Sequence, residues 1–146
     1  MRILLTGASG SIGSALAPAL EREGHELRLF GRDPSRVAAA APFVRGDAVS
    51  GAGLDEALDA IDVAYFLIHS MEGDRRAGFA ADERMAAENF VAAARRAGVR
   101  RAVYLGGLVP QGRAPSRHLA SRLAVCLLYT SPSPRDVEES RMPSSA

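Results

Sequence analysis

The sequence predicts an α/β fold in which an open, mostly parallel sheet is doubly wound and carries helices on both faces. Short apolar segments that are typical of buried strands alternate with segments whose apolar residues recur at helical spacing. Because the connections between these segments are short, right-handed crossovers favour the strand order 3-2-1-4-5. The 146 residues, 47% of them hydrophobic, are enough for one domain with a continuous core.

Five strands are predicted from apolar or alternating runs. The first spans 2–6, an apolar run that ends at a glycine-rich turn, as a buried parallel strand should. The second, at 26–30, alternates polar and apolar residues. Further short apolar runs predict strands at 43–45, 63–68 and 101–105.

Helices are predicted where apolar residues recur at helical spacing and a glycine follows. The first spans 12–23 and ends before Gly24, with a bend expected at Pro18 because an interior proline removes a backbone donor. The longest spans 79–97 and ends before Gly98. Weaker patterns predict shorter helices at 35–41 and 54–58, and the beginning of another at 116–125.

Composition and charge exclude several classes of function. The net charge of +1 gives no strong field that would attract nucleic acid or an anionic membrane. One cysteine is too few for a disulfide framework or a cysteine-rich zinc site, and no histidine or acidic cluster has metal-ligand spacing. No apolar run approaches the roughly 20 residues of a membrane span. We therefore expect a cytoplasmic protein with no nucleic-acid partner, no membrane partner and no metal.

A glycine-rich turn follows the first predicted strand and opens the first predicted helix. It reads TGASGSIG and carries Gly7, Gly10 and Gly13. Gly7 allows a tight turn, Gly10 lets the backbone approach a pyrophosphate, and Gly13 lets the helix pack close to the sheet. The helix N-terminus supplies free N–H groups to the anion. Its place between strand and helix favours a Rossmann-type dinucleotide site over a merely glycine-rich turn.

The GxxGxxG spacing resembles the atypical and extended short-chain dehydrogenase/reductase superfamily, in its NAD(P)H-binding, NmrA-like and epimerase-like branch. The resemblance covers essentially all of residues 1–125 and is specific for cofactor binding rather than for a reaction. Besides the glycine turn, it rests on the segments 24–26, 32–34, 45–47, 65–71, 87–90, 97–99 and 104–108.

The resemblance implies binding residues for each part of the dinucleotide. Asp47 would accept a hydrogen bond from the adenine amino group, with Ala48 beside it. Leu67, Ile68 and His69 would pass along the ribose and nicotinamide. The residues implied around the pyrophosphate are Gly7, Ser9, Gly10, Ser11 and Ile12, and Gly13 belongs to the same cofactor site as the glycine that lets the helix pack close.

The end of the second strand bears on the choice between NAD and NADP. NAD-specific members place an acidic residue there, which holds the ribose 2′-hydroxyl. Counting from Gly7, that place is Gly31, and Arg32 follows. An arginine can clamp a 2′-phosphate bidentately, so Arg32 favours NADP(H) over NAD(H). If the turn is offset by one or two residues, Asp33 could hold the ribose 2′-hydroxyl, and NAD would be the cofactor. Alternatively, Arg32 is an ordinary solvated arginine of the loop.

Active members of the superfamily use a serine or threonine after the fifth strand and a Tyr-x3-Lys pair at the next helix. Here the serine place reads Gly106-Gly107, and His118 and Arg122 stand at the tyrosine and lysine places. A histidine could shuttle a proton near neutral pH, whereas arginine cannot fully replace the compact lysine ammonium. His118 and Arg122 are therefore the candidate catalytic residues. The alternative is a surface histidine on a basic helix with no chemistry.

Two functions are compatible with these residues. The first is an NAD(P)-dependent oxidoreductase or epimerase-like protein that prefers NADP(H) and acts on an unknown small-molecule substrate. The second is a non-catalytic module that senses NADP(H) in a regulatory or scaffold role, as some NmrA-like relatives do. The departures at the serine, tyrosine and lysine places favour the second function or an unusual chemistry, whereas the usual activity of the family that the chain resembles favours the first. The fold alone does not decide between them.

The segment 126–146 differs in composition from the rest of the chain. All 14 glycines precede it, whereas serine and proline are frequent within it. Its parts CLLYTSPSPRD and SRMPSSA resemble the translation of a sequencing-library adapter, with a three-codon variable gap between them. We therefore expect 126–146 to be a non-native, disordered tail. Residues 1–125 would be an incomplete Rossmann domain, inactive without the substrate lobe of a longer parent; a genuine Ser/Pro-rich linker is the alternative.

Overall fold

A computed structural model describes residues 1–68 and 79–105, which form a five-stranded sheet with helices on both faces. Its elements are β1 (Arg2–Thr6), α1 (Ser11–Arg22), β2 (Glu26–Gly31), a 3-10 helix (Pro34–Arg36), β3 (Phe43–Arg45), α2 (Leu54–Leu58), β4 (Val63–Phe66), α3 (Phe79–Arg96) and β5 (Arg101–Tyr104).

The strands pair in parallel in the order β3-β2-β1-β4-β5, which confirms the predicted doubly wound, Rossmann-type sheet. Thr6 of β1 lies beside Phe30 of β2, and Gly31 of β2 lies beside Arg45 of β3. All carboxyl ends therefore meet at one edge, and the loops that follow β1, β2 and β3 are neighbours there.

Alternate residues of each strand pack on opposite faces of the sheet. On one face, Ile3 and Leu5 of β1 pack with Ala17 and Leu20 of α1. On the other face, the buried core is built from β-strand residues and from α2 and α3. Its aromatic centre is the pair Phe66 and Phe90, whose ring centroids are 4.8 Å apart. Burial on both faces explains why the central strands β1 and β4 are near-continuous apolar runs.

Glycines end both long helices as predicted. Gly24 (φ +78°) donates to the Glu21 carbonyl and His25 donates to the Leu20 carbonyl, which together form a Schellman motif after α1. Gly98 (φ +69°) ends α3 with the same pair of bonds. Helix α1 continues through Pro18, and the bend there stays a prediction.

The predicted helix at 35–41 is wrong, since only the 3-10 helix forms. Asp33 caps that short helix, and Val37 is already extended (φ −119°, ψ 126°). Val37, Ala39 and Ala41 instead pack against the α1 side of the sheet, so tertiary burial overrides the local helical preference of the alanines.

Strand β4 is two residues shorter than predicted, because its neighbour β1 has already ended and the Leu67 amide bonds to a side chain instead. No helix within 1–68 and 79–105 is long and apolar enough to cross a membrane. The helix predicted at 116–125 and the segment 126–146 lie outside the described residues.

Candidate functional site

The loop between β1 and α1, residues 7–13, is the glycine loop. Gly7 has φ +69°, and a Cβ there would lie 2.7 Å from the Leu67 carbonyl oxygen, at the end of β4. A Cβ on Gly13 would overlap the Gly7 carbonyl. Gly7 is therefore required for a left-handed turn against β4, and Gly13 for the close approach of α1 to that turn.

The backbone conformation and the neighbouring atoms of Gly10 differ from those of Gly7 and Gly13. Its backbone is extended (φ −80°, ψ 167°), a conformation that any residue adopts. The one atom within 4 Å of a Cβ there would be the Gly7 carbonyl oxygen, at 3.4 Å. The contacts of the described residues thus do not demand glycine at this position, and its missing side chain leaves the surface in front of α1 open.

The first turn of α1 lies directly behind Gly10. No side-chain hydrogen bond caps the helix within the described residues, and no acidic residue stands in the first turn. Ser11 and Ile12 are exposed, Ile12 to 50%. The leading N–H groups therefore face solvent and carry the partial positive charge of the helix end, which is the arrangement that binds phosphate oxygens.

Thr6 holds the glycine loop against β4. It is fully buried, its hydroxyl donates to the Tyr65 carbonyl at 3.0 Å, and the same oxygen accepts from the Leu67 amide at 3.0 Å. These two bonds continue the pairing of β1 and β4 past the end of the ladder. They fix the Leu67 backbone where Gly7 packs on it, and Ile68 follows, half-buried against the core.

The loop after β3, residues 47–52, is the Asp47 loop. One carboxylate oxygen of Asp47 accepts from the Val49 amide at 2.9 Å, and the backbone of Asp47 pairs with Ala52. The other carboxylate oxygen makes no hydrogen bond to a described residue. Asn89 of α3 donates its side-chain amide to the carbonyls of Ala48 and Val49, at 3.1 and 2.8 Å.

Residues 31–36 and Arg45 form the arginine corner, next to the Asp47 loop. Asp33 accepts hydrogen bonds from the Ser35 hydroxyl at 2.7 Å and the Ser35 amide at 3.0 Å. The Ser35 hydroxyl bond, followed by the amide bond and by the charges of Arg36 and Arg45, lowers the pKa of Asp33 below its ordinary value of 3.8. The Nε of Arg45 donates to the Arg32 carbonyl at 3.1 Å.

The fold brings most of the sequence-predicted residues to the carboxyl edge of the sheet. Arg32 is exposed, and its side chain makes no hydrogen bond or ion pair to a described residue. Ala48, within the Asp47 loop, is buried. The residues placed at this edge are Gly7, Ser9, Gly10, Ser11, Ile12, Gly13, Arg32, Asp47, Ala48, Leu67 and Ile68.

His69 and the candidate catalytic residues His118 and Arg122 lie outside the described residues, as do Gly106 and Gly107. Three residues have a structural role at this edge that the sequence pattern did not assign to them: Thr6, Arg45 and Asn89. Asn89 lies 41 positions from Ala48, so nothing in its local pattern indicates the contact.

Comparison with known proteins agrees with this geometry. A family described as NAD(P)H-binding matches residues 7–124. The chain is 34% identical over 114 residues to a 3-beta-hydroxysteroid dehydrogenase from Mycolicibacterium neoaurum, covering 70% of this chain and 31% of that protein. It is 33% identical over 124 residues to sterol demethylase protein B from Methylococcus capsulatus, covering 77% and 38%.

Among solved structures, a short-chain dehydrogenase/reductase superfamily protein from Agrobacterium tumefaciens, crystallised with bound NAD, superimposes with a TM-score of 0.72. The identity is 24%, over 88% of this chain and 44% of the other, so this likeness concerns the fold. The chain spans about a third of the length of the two curated relatives. It belongs to the NAD(P)H-binding family, with the fold of the short-chain dehydrogenase/reductase and epimerase superfamily.

Proposed function

We propose that the chain is the cofactor-binding part of an NADP(H)-preferring oxidoreductase or epimerase-like protein, and that it holds the dinucleotide across the carboxyl edge of the sheet. The observation that carries the proposal is the open first turn of α1. Its leading amides have no side-chain cap among the described residues, and the residue in front of them is a glycine that the surrounding contacts do not demand. The pyrophosphate would accept from these amides.

The adenine end would lie at the Asp47 loop. The carboxylate oxygen of Asp47 that makes no bond to a described residue is a suitable acceptor for the adenine amino group, as the family resemblance implies. The Asn89 bonds to the Ala48 and Val49 carbonyls hold the backbone of this loop rigid before a ligand arrives. Such preorganisation lowers the entropic cost of binding.

Preference for NADP(H) is supported by the charges of the arginine corner. A carboxylate at the end of β2 would hold a ribose hydroxyl, but that position is Gly31, where a Cβ would press on the Phe43 ring at 3.3 Å. Asp33, the first carboxylate after Gly31 in the chain, already caps the 3-10 helix. Arg32 has no competing partner among the described residues and could turn to a 2′-phosphate.

The reaction is proposed from the relatives. A bound nicotinamide would supply or accept a hydride, and the dehydrogenase relative is named for oxidising a hydroxysteroid. A carbonyl or secondary alcohol on an apolar ring system is therefore the first substrate class to test. An NmrA-like affiliation and a cytoplasmic location stay predictions from the sequence.

A sensing module remains the second candidate, because the sequence lacks the serine and the Tyr-x3-Lys pair at the places that catalysis uses in active members. Gly106, His118 and Arg122 stand there instead. Assaying an intact parent protein with NADPH and a panel of ketones separates the two functions. Turnover, followed at the NADPH absorbance, supports the enzyme; tight binding without oxidation of NADPH supports the sensor.

The binding proposal is tested by Gly10→Asp, with titration calorimetry of NADP⁺ and NAD⁺. Aspartate is a good N-cap residue, so the variant should be as stable as the wild type or more stable by about 0.5 kcal/mol. Its carboxylate would occupy the leading amides and repel the pyrophosphate, so the affinity for either nucleotide should fall by at least about tenfold. Unchanged affinity would contradict the proposal.

Ala15→Asp is the matched control, because it places the same charge on an exposed position of the same helix. It should leave both affinities within about twofold of the wild type, since the position lies beyond the first turn.

Cofactor preference is measured in the same way with Arg32→Ala. The ratio of NADP⁺ to NAD⁺ affinity should fall by about tenfold; an unchanged ratio would remove the 2′-phosphate argument for Arg32.

A further inference from the structure

Arg45 reaches the same part of the carboxyl edge as Arg32, although it belongs to a different strand. It is the last residue of β3, and its register partner is Gly31, the last residue of β2. The two positions are therefore side by side, and Arg32 is the next residue along the chain from Gly31. Two arginines thus lie at adjoining strand ends, where a single anionic group could contact both.

The Arg45 side chain is directed across the end of β2. Its Nε donates to the Arg32 carbonyl at 3.1 Å, which uses one nitrogen and leaves both terminal nitrogens of the guanidinium without a hydrogen bond to a described residue. The Arg45 charge also acts on the Asp33 carboxylate, so the guanidinium lies within electrostatic range of the 31–36 turn. An exposed arginine held in this way has lost part of its conformational freedom before it meets a ligand.

Asp33 does not neutralise this charge completely. Its carboxylate accepts two bonds from Ser35, and the charges of Arg36 and Arg45 both act on it, while Arg32 precedes it directly in the chain. The local charge is therefore net positive. Because a planar guanidinium with two terminal nitrogens matches the geometry of a phosphate monoester, the fork of Arg45 is suited to that group.

We infer that Arg45 is a second determinant of NADP preference, which contacts the 2′-phosphate directly and shares it with Arg32. The inference rests on the proposed binding of NADP(H). It adds a residue of β3 to a cofactor preference that the sequence attributes only to residues at the end of β2. Arg45 has two parts in this arrangement. Its Nε bond fixes the turn that carries Arg32, and its terminal nitrogens contact the phosphate.

The test uses a pair of small probes that differ in the 2′-phosphate alone, adenosine 2′,5′-bisphosphate and adenosine 5′-phosphate. Their dissociation constants are measured by ligand-observed NMR on the purified chain, in the wild type and in Arg45→Gln. We expect the bisphosphate to bind about tenfold more weakly to the variant, with the monophosphate unchanged. A bisphosphate affinity equal to that of the wild type would overturn the inference.

Arg101→Gln is the matched control, because Arg101 is an exposed arginine at the opposite, amino end of the sheet. It should shift neither dissociation constant, although it removes the same net charge. If the wild type itself fails to distinguish the two probes, the proposed NADP preference fails. If the wild type prefers the bisphosphate and Arg45→Gln retains that preference, the role of Arg45 alone fails.

The double variant Arg32→Gln/Arg45→Gln separates direct contact from support of Arg32. If Arg45 contacts the phosphate itself, adding Arg45→Gln to Arg32→Gln lowers the bisphosphate affinity further. If Arg45 serves only to hold the Arg32 turn, the second substitution has no further effect, and the direct contact is refuted.

Discussion

The glycine loop and the arginine corner lie at the same edge of the sheet but are built from different groups. In the glycine loop, the groups that face solvent are backbone amides, and two of the three glycines are required by contacts with the backbone just after β4 and with that of the loop itself. In the arginine corner and the neighbouring Asp47 loop, side chains set the geometry. Arg45 contacts Arg32 from 13 residues away, and Asn89 contacts Ala48 from 41 residues away.

This difference separates the part of the site that would bind any dinucleotide from the part that would distinguish one dinucleotide from another. Backbone amides at a helix end bind phosphate without regard to the rest of a ligand, so this half of the site suits any dinucleotide. Discrimination between related dinucleotides needs groups that contact one and not the other. The side chains of the arginine corner are the groups in the described residues that could supply such discrimination.

The largest expected effect is that of Gly13→Ala in the glycine loop. The added methyl overlaps the Gly7 carbonyl, so α1 must move away from the turn. We expect a loss of about 1–3 kcal/mol in the free energy of unfolding, measured by urea denaturation. Ser14→Ala, at the next and exposed position of α1, is the control and should change stability by less than about 0.5 kcal/mol. Equal stability of the two variants would show that the close approach is not needed.

Thr6→Val tests whether the glycine loop also depends on a side chain. Valine has nearly the same shape but cannot bond to Tyr65 or Leu67, and it leaves a donor and an acceptor without partners. We expect a loss of about 1–3 kcal/mol and faster hydrogen exchange at the Leu67 amide. Thr6→Ser keeps the hydroxyl and should keep the slow exchange. If the exchange rate is the same in Thr6→Val as in the wild type, the backbone alone holds the loop.

The sequence predicts the backbone-built half of this edge better than the half built from side chains. Gly7, Gly10 and Gly13 have a fixed spacing between a strand and a helix, so their loop and the sheet order are local or topological features. The register of Gly31 with Arg45 and the contact of Asn89 with the Asp47 loop depend on how distant segments pack. For the same reason the helix predicted at 35–41 does not form, since the conformation of this alanine-rich segment is decided by burial against the α1 side of the sheet.

Asn89→Ala tests whether the Asp47 loop depends on the side-chain contacts that it receives from α3. The variant removes both side-chain bonds to the Asp47 loop, whose carbonyls can then turn to solvent, so the loss in stability should be about 1 kcal/mol. The affinity for adenosine 5′-phosphate should fall by about threefold to tenfold, because the loop must be ordered on binding. Glu88→Ala, which removes an exposed ion pair with Arg84 on the same helix, should leave that affinity unchanged. An adenosine affinity that Asn89→Ala does not alter would mean that the loop needs no support from α3.

Ser35→Ala has the smallest expected effect and examines a single bond of the arginine corner. The Ser35 hydroxyl is the largest cause of the lowered pKa of Asp33, so the variant should raise that pKa towards 3.8 while the Ser35 amide bond remains. A carboxyl whose pKa is lower in the folded state stabilises the fold above its unfolded pKa, and this contribution is lost as the pH falls through the folded value. The wild type should therefore lose more stability than the variant on acidification below about pH 4, the range of an unfolded aspartate. NMR titration of the Asp33 carboxyl carbon measures the pKa directly. An identical pKa in both proteins would show that the Ser35 hydroxyl does not lower the pKa of Asp33.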